Sequence, residues 1–344
     1  MPFRIQGMAP NLDQLGRQLR DLRISVTDRC NFRCVYCRPH NGTGLKLVPH
    51  ADLLTFEEMA RLARLFVTFG VQKVRLTGGE PLVRPSVENL VALLVDIPGL
   101  DDIAMTTNGS LLTPRKAKLL HDAGLHRITI SLDTLDEDLF SQINGVGFPS
   151  RRVLDAVEAA VAAGLTPIKI NMVVKRGLND DAILDMAGFF RNSGHVLRFI
   201  EYMDAGNING WHPEAVVPAA EILARIGELW PLEPLKPTRF GEVSTRYRYR
   251  DGQGEIGVVA SVTQPFCRTC TRARLSPEGQ LFTCLFGHEG RDLRALLRSG
   301  RSDAEIGAAI LDTWHARSDR YSELRAAGTP PSGAAKVEMF HIGG

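Results

Sequence analysis

The sequence predicts an α/β fold: a partial (β/α)6 TIM-like barrel followed by a C-terminal α+β extension. Three observations carry this. Short runs rich in Ile, Val, Leu and Thr alternate with helical segments of about ten residues or more through the first two-thirds of the chain, the mark of βα units and a parallel sheet. Six such strands can be counted, fewer than a closed eight-stranded barrel needs, so the barrel is expected to be open. Beyond residue 235 the helical periodicity gives way to alternating and Gly/Val-rich segments, which read as antiparallel strands.

The strands are expected at Leu22–Thr27, Gln72–Thr77, Asp102–Thr107, Arg127–Leu132, Thr166–Val174 and Val196–Tyr202. Between them, Phe56–Phe69 is helical, with Thr55 as N-cap, Glu58 in the capping-box position and Gly70 just past the end. Ser86–Val95, Thr113–Ala123 before Gly124, Arg151–Ala163 before Gly164, and Asp180–Arg191 are the other helices. Trp230–Pro237 holds Pro231, Pro234 and Pro237 and reads as a linker, which divides the chain into a core of residues 1–235 and a C-terminal region of residues 236–344. Ser244–Arg250 and Glu255–Ser261 are then strands. The Arg246-Tyr247-Arg248-Tyr249-Arg250 stripe reads as a solvated edge strand rather than a nucleic-acid platform.

Composition narrows the function. With 41 Lys and Arg against 39 Asp and Glu the net charge is +2, too small for a bulk nucleic-acid binder, so any anion site must be local. Apolar runs such as Leu90–Val95 are too short to cross a bilayer, and no charged segment followed by an apolar one marks a secretory signal. A cytoplasmic chain with reduced thiols is expected.

All six cysteines fall into two triads, Cys30-x3-Cys34-x2-Cys37 and Cys267-x2-Cys270-x13-Cys284. Six in 344 residues is too sparse for a disulfide scaffold. Structural zinc takes four ligands, and the histidines nearest the triads, His40, His50 and His288, lack ligand-like spacing. Iron–sulfur clusters are held by thiolates, and three thiolates on a four-iron cluster leave one iron open to a ligand. That reading is favoured, with a zinc-stabilised scaffold as the alternative.

The first triad, with Tyr36 before its last cysteine, resembles the signature of the radical S-adenosylmethionine (SAM) enzymes, and Gly78-Gly79-Glu80-Pro81 at the end of the second strand resembles that superfamily's GGEP motif. Two glycines there would let main-chain groups approach a ligand's amino group closely. Cys267-x2-Cys270-Thr271-Arg272-Ala273-Arg274 with Cys284, the segments Asp28–Cys34 and Arg198–Asp204, and the terminal Gly343-Gly344 are similar to the MoaA family, the GTP 3′,8-cyclases of molybdenum cofactor biosynthesis. The resemblance runs from about Leu22 to Gly344.

It implies two [4Fe-4S] clusters. Cys30, Cys34 and Cys37 would hold the one that binds and cleaves SAM. Cys267, Cys270 and Cys284 would hold a second, whose open iron faces the guanine. It further implies that the 5′-deoxyadenosyl radical removes the ribose H3′ and that C3′ then joins C8 of the same guanine. SAM contacts would fall to Tyr36, Gly79, Ser131 and Met203. Arg23, Arg75, Lys169, Arg272 and Arg274 would hold GTP, with Thr106 or the backbone of Ala273, and the Gly343-Gly344 tail would enter the site. Residue spacing leaves open whether Thr106 or Thr107 faces the substrate. A homodimer, a MoaC-type synthase downstream and an external electron donor are the partners implied.

The cations also make sense from the residues alone. Arg23, Arg75 and Lys169 lie within otherwise apolar strands, where a charge is costly without an anionic partner. Arg272 and Arg274 alternate, so an extended segment aims both the same way. The chain departs from the family at Arg38, where an apolar residue, usually Met, precedes Pro39, and in the loop Asn41–His50. Another radical SAM protein with an auxiliary cluster, such as a peptide-modifying maturase, is the second enzyme reading; such proteins usually carry more cysteines in their C-terminal part.

Overall fold

The computed structural model describes residues 11–38, 47–329 and 335–344; His40 and most of the Asn41–His50 loop lie outside them. The barrel half runs β1 (Asp21–Ser25), α1 (Phe56–Thr68), β2 (Lys73–Thr77), α2 (Val87–Val95), β3 (Asp102–Thr107), α3 (Pro114–Asp122), β4 (Arg127–Ser131), α4 (Glu137–Asn144), α5 (Ser150–Ala162), β5 (Lys169–Val174), α6 (Ile183–Phe190) and β6 (Val196–Glu201). The rest of the chain supplies α7 (Ala219–Leu229), β7 (Leu232–Leu235), β8 (Thr245–Tyr249), β9 (Glu255–Val259), β10 (Arg272–Leu275), β11 (Gln280–Phe282), β12 (Arg291–Asp292), α8 (Leu293–Arg298), α9 (Asp303–His315), α10 (Tyr321–Ala326) and α11 (Met339–Ile342).

Strands β1 to β6 pair in parallel in sequence order, as expected. What flanks them is not foreshadowed by the sequence pattern. β10 adds in parallel to β1 and β9 in parallel to β6, so C-terminal strands extend the barrel sheet at both sides into one twelve-stranded sheet. The β1–β10 pairing joins residues some 250 positions apart, and no local pattern reports it.

Alternation does the sorting. On β5 and β6 every second residue is buried in the helix layer, Ile170, Met172 and Val174 on one and Leu197 and Phe199 on the other. The intervening Lys169, Asn171 and Arg198 therefore face the barrel interior. Outside, α1 buries Met59, Leu62, Ala63 and Phe66, the spacing of one helix face. Its start is fixed by the expected capping box: Glu58 N–H donates to Thr55 Oγ1 at 3.1 Å, and Thr55 N–H to the Glu58 carboxylate at 2.8 Å.

Three expectations need correction. The proline-rich segment 230–237 is no linker, because it contains β7, the edge strand, whose Pro234 needs no ladder donor on its open side. Consequently β8, with Arg246 and Arg248, is not the edge: it lies between β7 and β9, and its arginines pair with Glu255 and Glu233. Helices α4 and α7 were not expected. α4 displays an ordinary bracket, Asp136 accepting from Leu139 N–H at 2.7 Å and left-handed Gly145 at the end. α7 is capped from afar: the buried Glu201 carboxylate accepts Ala219 N–H at 2.8 Å.

Candidate active site

The barrel interior is a cavity of about 640 Å³. Among the described residues, twelve Lys and Arg but only four Asp and Glu line it. All three cysteines of the second triad border it, as do Arg23, Arg75, Thr106, Lys169, Arg272, Arg274, Met203 and Gly344. The register shows why. Arg274 on β10, Arg23 on β1 and Arg75 on β2 are successive cross-strand partners, so three guanidiniums stand abreast. Ala273, between the two β10 arginines, turns to the apolar layer and lines no part of the cavity. Thr106 faces inward and accepts from Arg75 at 2.8 Å, whereas Thr107 points away and donates to Glu80 at 2.6 Å. Two further cations, not expected from the sequence, join them: Arg198, whose guanidinium donates to Asn171 Oδ1 at 2.7 Å, and Lys73, paired with Asp102 at 3.2 Å. Both are charges at inward positions of apolar strands, the signal that singled out Arg75.

These cations are crowded. Burial, and then Arg272 and Arg75, push Arg23 down to about 9, and burial with Arg198 does the same to Arg75. Lys169 falls to about 8 through burial and Arg198, and Lys73 to about 7 through burial and Arg75, against the pull of Asp102. A guanidinium keeps its proton throughout the physiological range, so at the arginines the depression measures electrostatic cost. A bound polyanion would relieve it.

The second triad opens on a short helical turn, Cys267–Thr269, with Cys270 directly after it. Burial alone would raise the Cys270 thiol, but the guanidiniums of Arg272 and Arg317, each 3.2 Å from its Sγ, bring it down to about 6. A thiol poised as thiolate suits a metal ligand. Arg317 comes from the loop after α9 and was not anticipated; nothing in its sequence context points to a cysteine 47 residues earlier. Cys284 is pushed up to about 12 by burial and Asp319.

The first triad occupies the loop after β1. Cys37 and Arg38 N–H both donate to Cys34 O, at 2.9 and 2.8 Å, which curls the loop, while Arg33 and Val35 N–H dock on the last carbonyls of α4. Tyr36 donates to the buried Asp133 carboxylate at 2.6 Å, and Ser131 closes β4 two residues before Asp133. Gly78 and Gly79 have a stricter role than ligand access alone. A Cβ on Gly78 would stand 2.3 Å from Thr27 O, and one on Gly79 2.3 Å from Arg29 O, so both glycines let the β2 loop press against the loop leading from β1 into Cys30. Glu80, next in sequence, is buried and accepts from Leu82 N–H, Thr107 Oγ1 and Asn108 N–H at 2.6–3.0 Å. Burial lifts its carboxyl to about 7 and that of Asp133 to about 6. Tyr36, Gly79 and Ser131 thus gather at the C-terminal ends of the early strands. Met203 lines the large cavity, with its sulfur 3.8 Å from Ser261 Oγ.

The C-terminal tail reaches the same cavity. Arg274 donates to the carbonyl oxygens of Ile342 and Gly343, and Gly344 lines the cavity wall. Gly343 adopts a left-handed φ of 72°, and a Cβ there would lie 2.1 Å from Thr77 Cγ2, so a side chain is barred on both counts.

The donor chemistry fits iron–sulfur ligation: all six cysteines are free thiols, three to each loop, and thiolates are the ligands such clusters take.

Comparison with known proteins agrees. Residues 24–190 match the Radical SAM superfamily, and residues 195–323 match Molybdenum Cofactor Synthesis C. Among solved structures, Streptococcus suis SuiB bound to S-adenosylmethionine aligns with a TM-score of 0.58 over 89% of this chain and 67% of that one, at 17% identity, a likeness of fold. The fold and the two cysteine loops define a radical SAM protein. A GTP 3′,8-cyclase from Acidothermus cellulolyticus is 52% identical, covering 97% of this chain and 99% of that protein. One from Staphylococcus aureus is 45% identical, covering 96% and 98%. The chain belongs to the GTP 3′,8-cyclase family.

Proposed function

We propose that this chain converts GTP to 3′,8-cyclo-7,8-dihydroguanosine 5′-triphosphate in molybdenum cofactor biosynthesis. The observation that carries the reading is the pairing, in one cavity, of a three-cysteine loop with a dense bank of cations. Those residue types suit a ligand that is a polyanion at one end and an iron-binding heterocycle at the other. As a radical SAM protein it uses S-adenosylmethionine and a [4Fe-4S] cluster, which when bound would supply the one-electron chemistry for removing the ribose H3′ hydrogen and joining C3′ to C8.

The chain's own residues do the holding. Cys30, Cys34 and Cys37 would ligate the first cluster; Tyr36, Gly79, Ser131 and Met203 would contact SAM. Cys267, Cys270 and Cys284 would hold a second cluster against the guanine. Arg23, Arg75, Lys169, Arg272 and Arg274, with Thr106, would grip the triphosphate, and Gly343-Gly344 would close the site. Residues 1–235 would serve the radical-forming step and residues 236–344 substrate binding. We place the enzyme in the cytoplasm as a homodimer, drawing electrons from an external donor and handing its product to a MoaC-type synthase. Among the described residues no helix is long and apolar enough to cross a membrane.

A peptide-modifying role is the competing enzyme. The cation-lined interior favours a nucleotide over a peptide. Anaerobic, reduced protein given SAM and GTP should yield a product of unchanged mass and altered chromatographic behaviour, with 5′-deoxyadenosine formed alongside. Turnover of a peptide substrate and none of GTP would overturn the reading.

A further inference from the structure

Arg38 is a charged side chain in an unlikely place. It directly follows Cys37, is 8% exposed, and its Nε is buried without a partner among the described residues. What covers it comes from the other end of the chain: the guanidinium carbon lies 5.1 Å from the centre of the Phe340 ring. Phe340 is itself buried, on α11, three residues before Gly343.

The segment that carries Phe340 is fastened at other points too. Lys336 Nζ donates to the Asp204 carboxylate at 2.8 Å, Asn207 N–H to Glu338 at 3.0 Å, and Val337 N–H to Gly287 O at 3.0 Å. At its far end Arg274, which lies between Cys270 and Cys284 of the second triad, holds the Gly343 carbonyl. Residues 336–344 therefore run as a strap from the Asp204 region to the cavity wall. Along the way the strap touches a neighbour of each cysteine triad: Arg38 for the first, Arg274 for the second.

We propose that Arg38 is a positioning residue that clasps Phe340 and thereby joins the seating of the Gly343-Gly344 tail to the ordering of the first cysteine loop. The physical argument is one of mutual dependence. A buried guanidinium with an idle donor is costly, and the face of an aromatic ring offsets that cost. If the strap lifts, Arg38 loses its ring and Phe340 loses its cover. If the first loop disorders, the strap loses one of its fixed points, four residues before the end of the chain.

The test reads the strap directly. In holoenzyme reconstituted without air, hydrogen–deuterium exchange of peptides covering residues 336–344 is measured for wild type, Arg38→Met, Phe340→Leu and Phe340→Trp. Arg38→Met keeps bulk and removes charge; Phe340→Leu keeps bulk and removes the ring; Phe340→Trp restores a ring. Exchange in the strap should rise about tenfold in the first two and return toward wild type in the third. The ratio of 5′-deoxyadenosine formed to GTP consumed should rise in the same two variants, a change that mere loss of folded protein does not produce. Strap exchange at the wild-type level in Arg38→Met overturns the proposal. So does a rise confined to Phe340→Leu, which would mean packing alone. The inference goes beyond the cyclase reading: should the wild type fail to consume GTP, the exchange pattern would still decide it.

Discussion

The two cysteine loops sit in opposite electrostatic surroundings. Around the first, the buried carboxyls of Glu80 and Asp133 act on the thiols, with the buried guanidinium of Arg38 opposing them. Burial and then Glu80 push the Cys30 thiol up to about 11, while burial and then Asp133 drive Cys34 upward. Around the second, the buried groups are guanidiniums, and Arg272 and Arg317 bring Cys270 down to about 6. The same donor type, three thiols in a loop, thus stands in two different electrostatic settings. An acidic surround suits a cationic sulfonium ligand, and a basic surround suits a nucleotide triphosphate. The difference teaches that ligand count sets what each loop can hold, while the flanking charges set what each is suited to meet.

Removing one loop and sparing the other breaks the comparison most sharply. Cys267→Ser should retain some SAM cleavage and lose GTP cyclisation by about 100-fold or more, the scale on which metal sites fail when their coordination is disturbed. The measurement is anaerobic, with 5′-deoxyadenosine and cyclised product quantified separately. Full cyclisation by this variant would contradict a substrate-holding role for the second loop.

A smaller effect is expected at Arg75, which stands beside Arg23 and donates to Thr106. Arg75→Met removes a buried charge from a like-charged row. Thermal stability of the protein without nucleotide should hold or rise, because the crowding eases. The KM for GTP should rise about 30-fold, the loss of roughly 2 kcal/mol for a hydrogen bond between charged groups. Guanosine, which lacks the phosphates, should show little change. Equal losses for both would move Arg75 away from the triphosphate.

How much of this was written in the chain divides along physical lines. The six parallel strands were legible because each is a compact apolar run between turn residues, as at Asp102–Thr107. β7 was not, because Pro231, Pro234 and Pro237 signal a break, and only the edge position makes a proline-bearing strand admissible. α7 was hidden because its cap is the Glu201 carboxylate, 18 residues upstream. The cavity's arginines were legible wherever a charge interrupts an apolar strand, and Arg198 and Lys73 obey that rule as well as Arg75 does. Arg317 obeys no local rule: its importance comes from the chain returning, 47 residues on, to Cys270. Gly78 and Gly79 were legible as glycines, but the demand on them comes from the Thr27 and Arg29 carbonyls, visible only once both loops are folded.

The smallest expected effect separates the lower edge of the cation bank from its middle. Lys73 is brought down to about 7 by burial and Arg75, with Asp102 opposing, whereas the arginines beside it keep their protons. The sign follows from the direction. Below pH 7 Lys73 is charged and attracts a triphosphate; as pH rises through 7 it becomes a neutral amine and that attraction fades. Because kcat/KM reports the free enzyme, its value for GTP should fall several-fold between pH 6.5 and 8, with Lys169, brought down to about 8, adding to the upper part of the decline. In Lys73→Met the value at pH 6.5 should already be several-fold lower, and the part of the slope centred near 7 should vanish. The stability of the nucleotide-free protein should move the opposite way. A base whose folded pKa lies below its unfolded one costs stability while charged, so the wild type should gain on Lys73→Met as pH climbs from 7 toward 10.5. A kcat/KM profile for wild type and Lys73→Met of the same shape would show that the lysine keeps its proton through Asp102, and would leave the triphosphate grip to the arginines and Lys169.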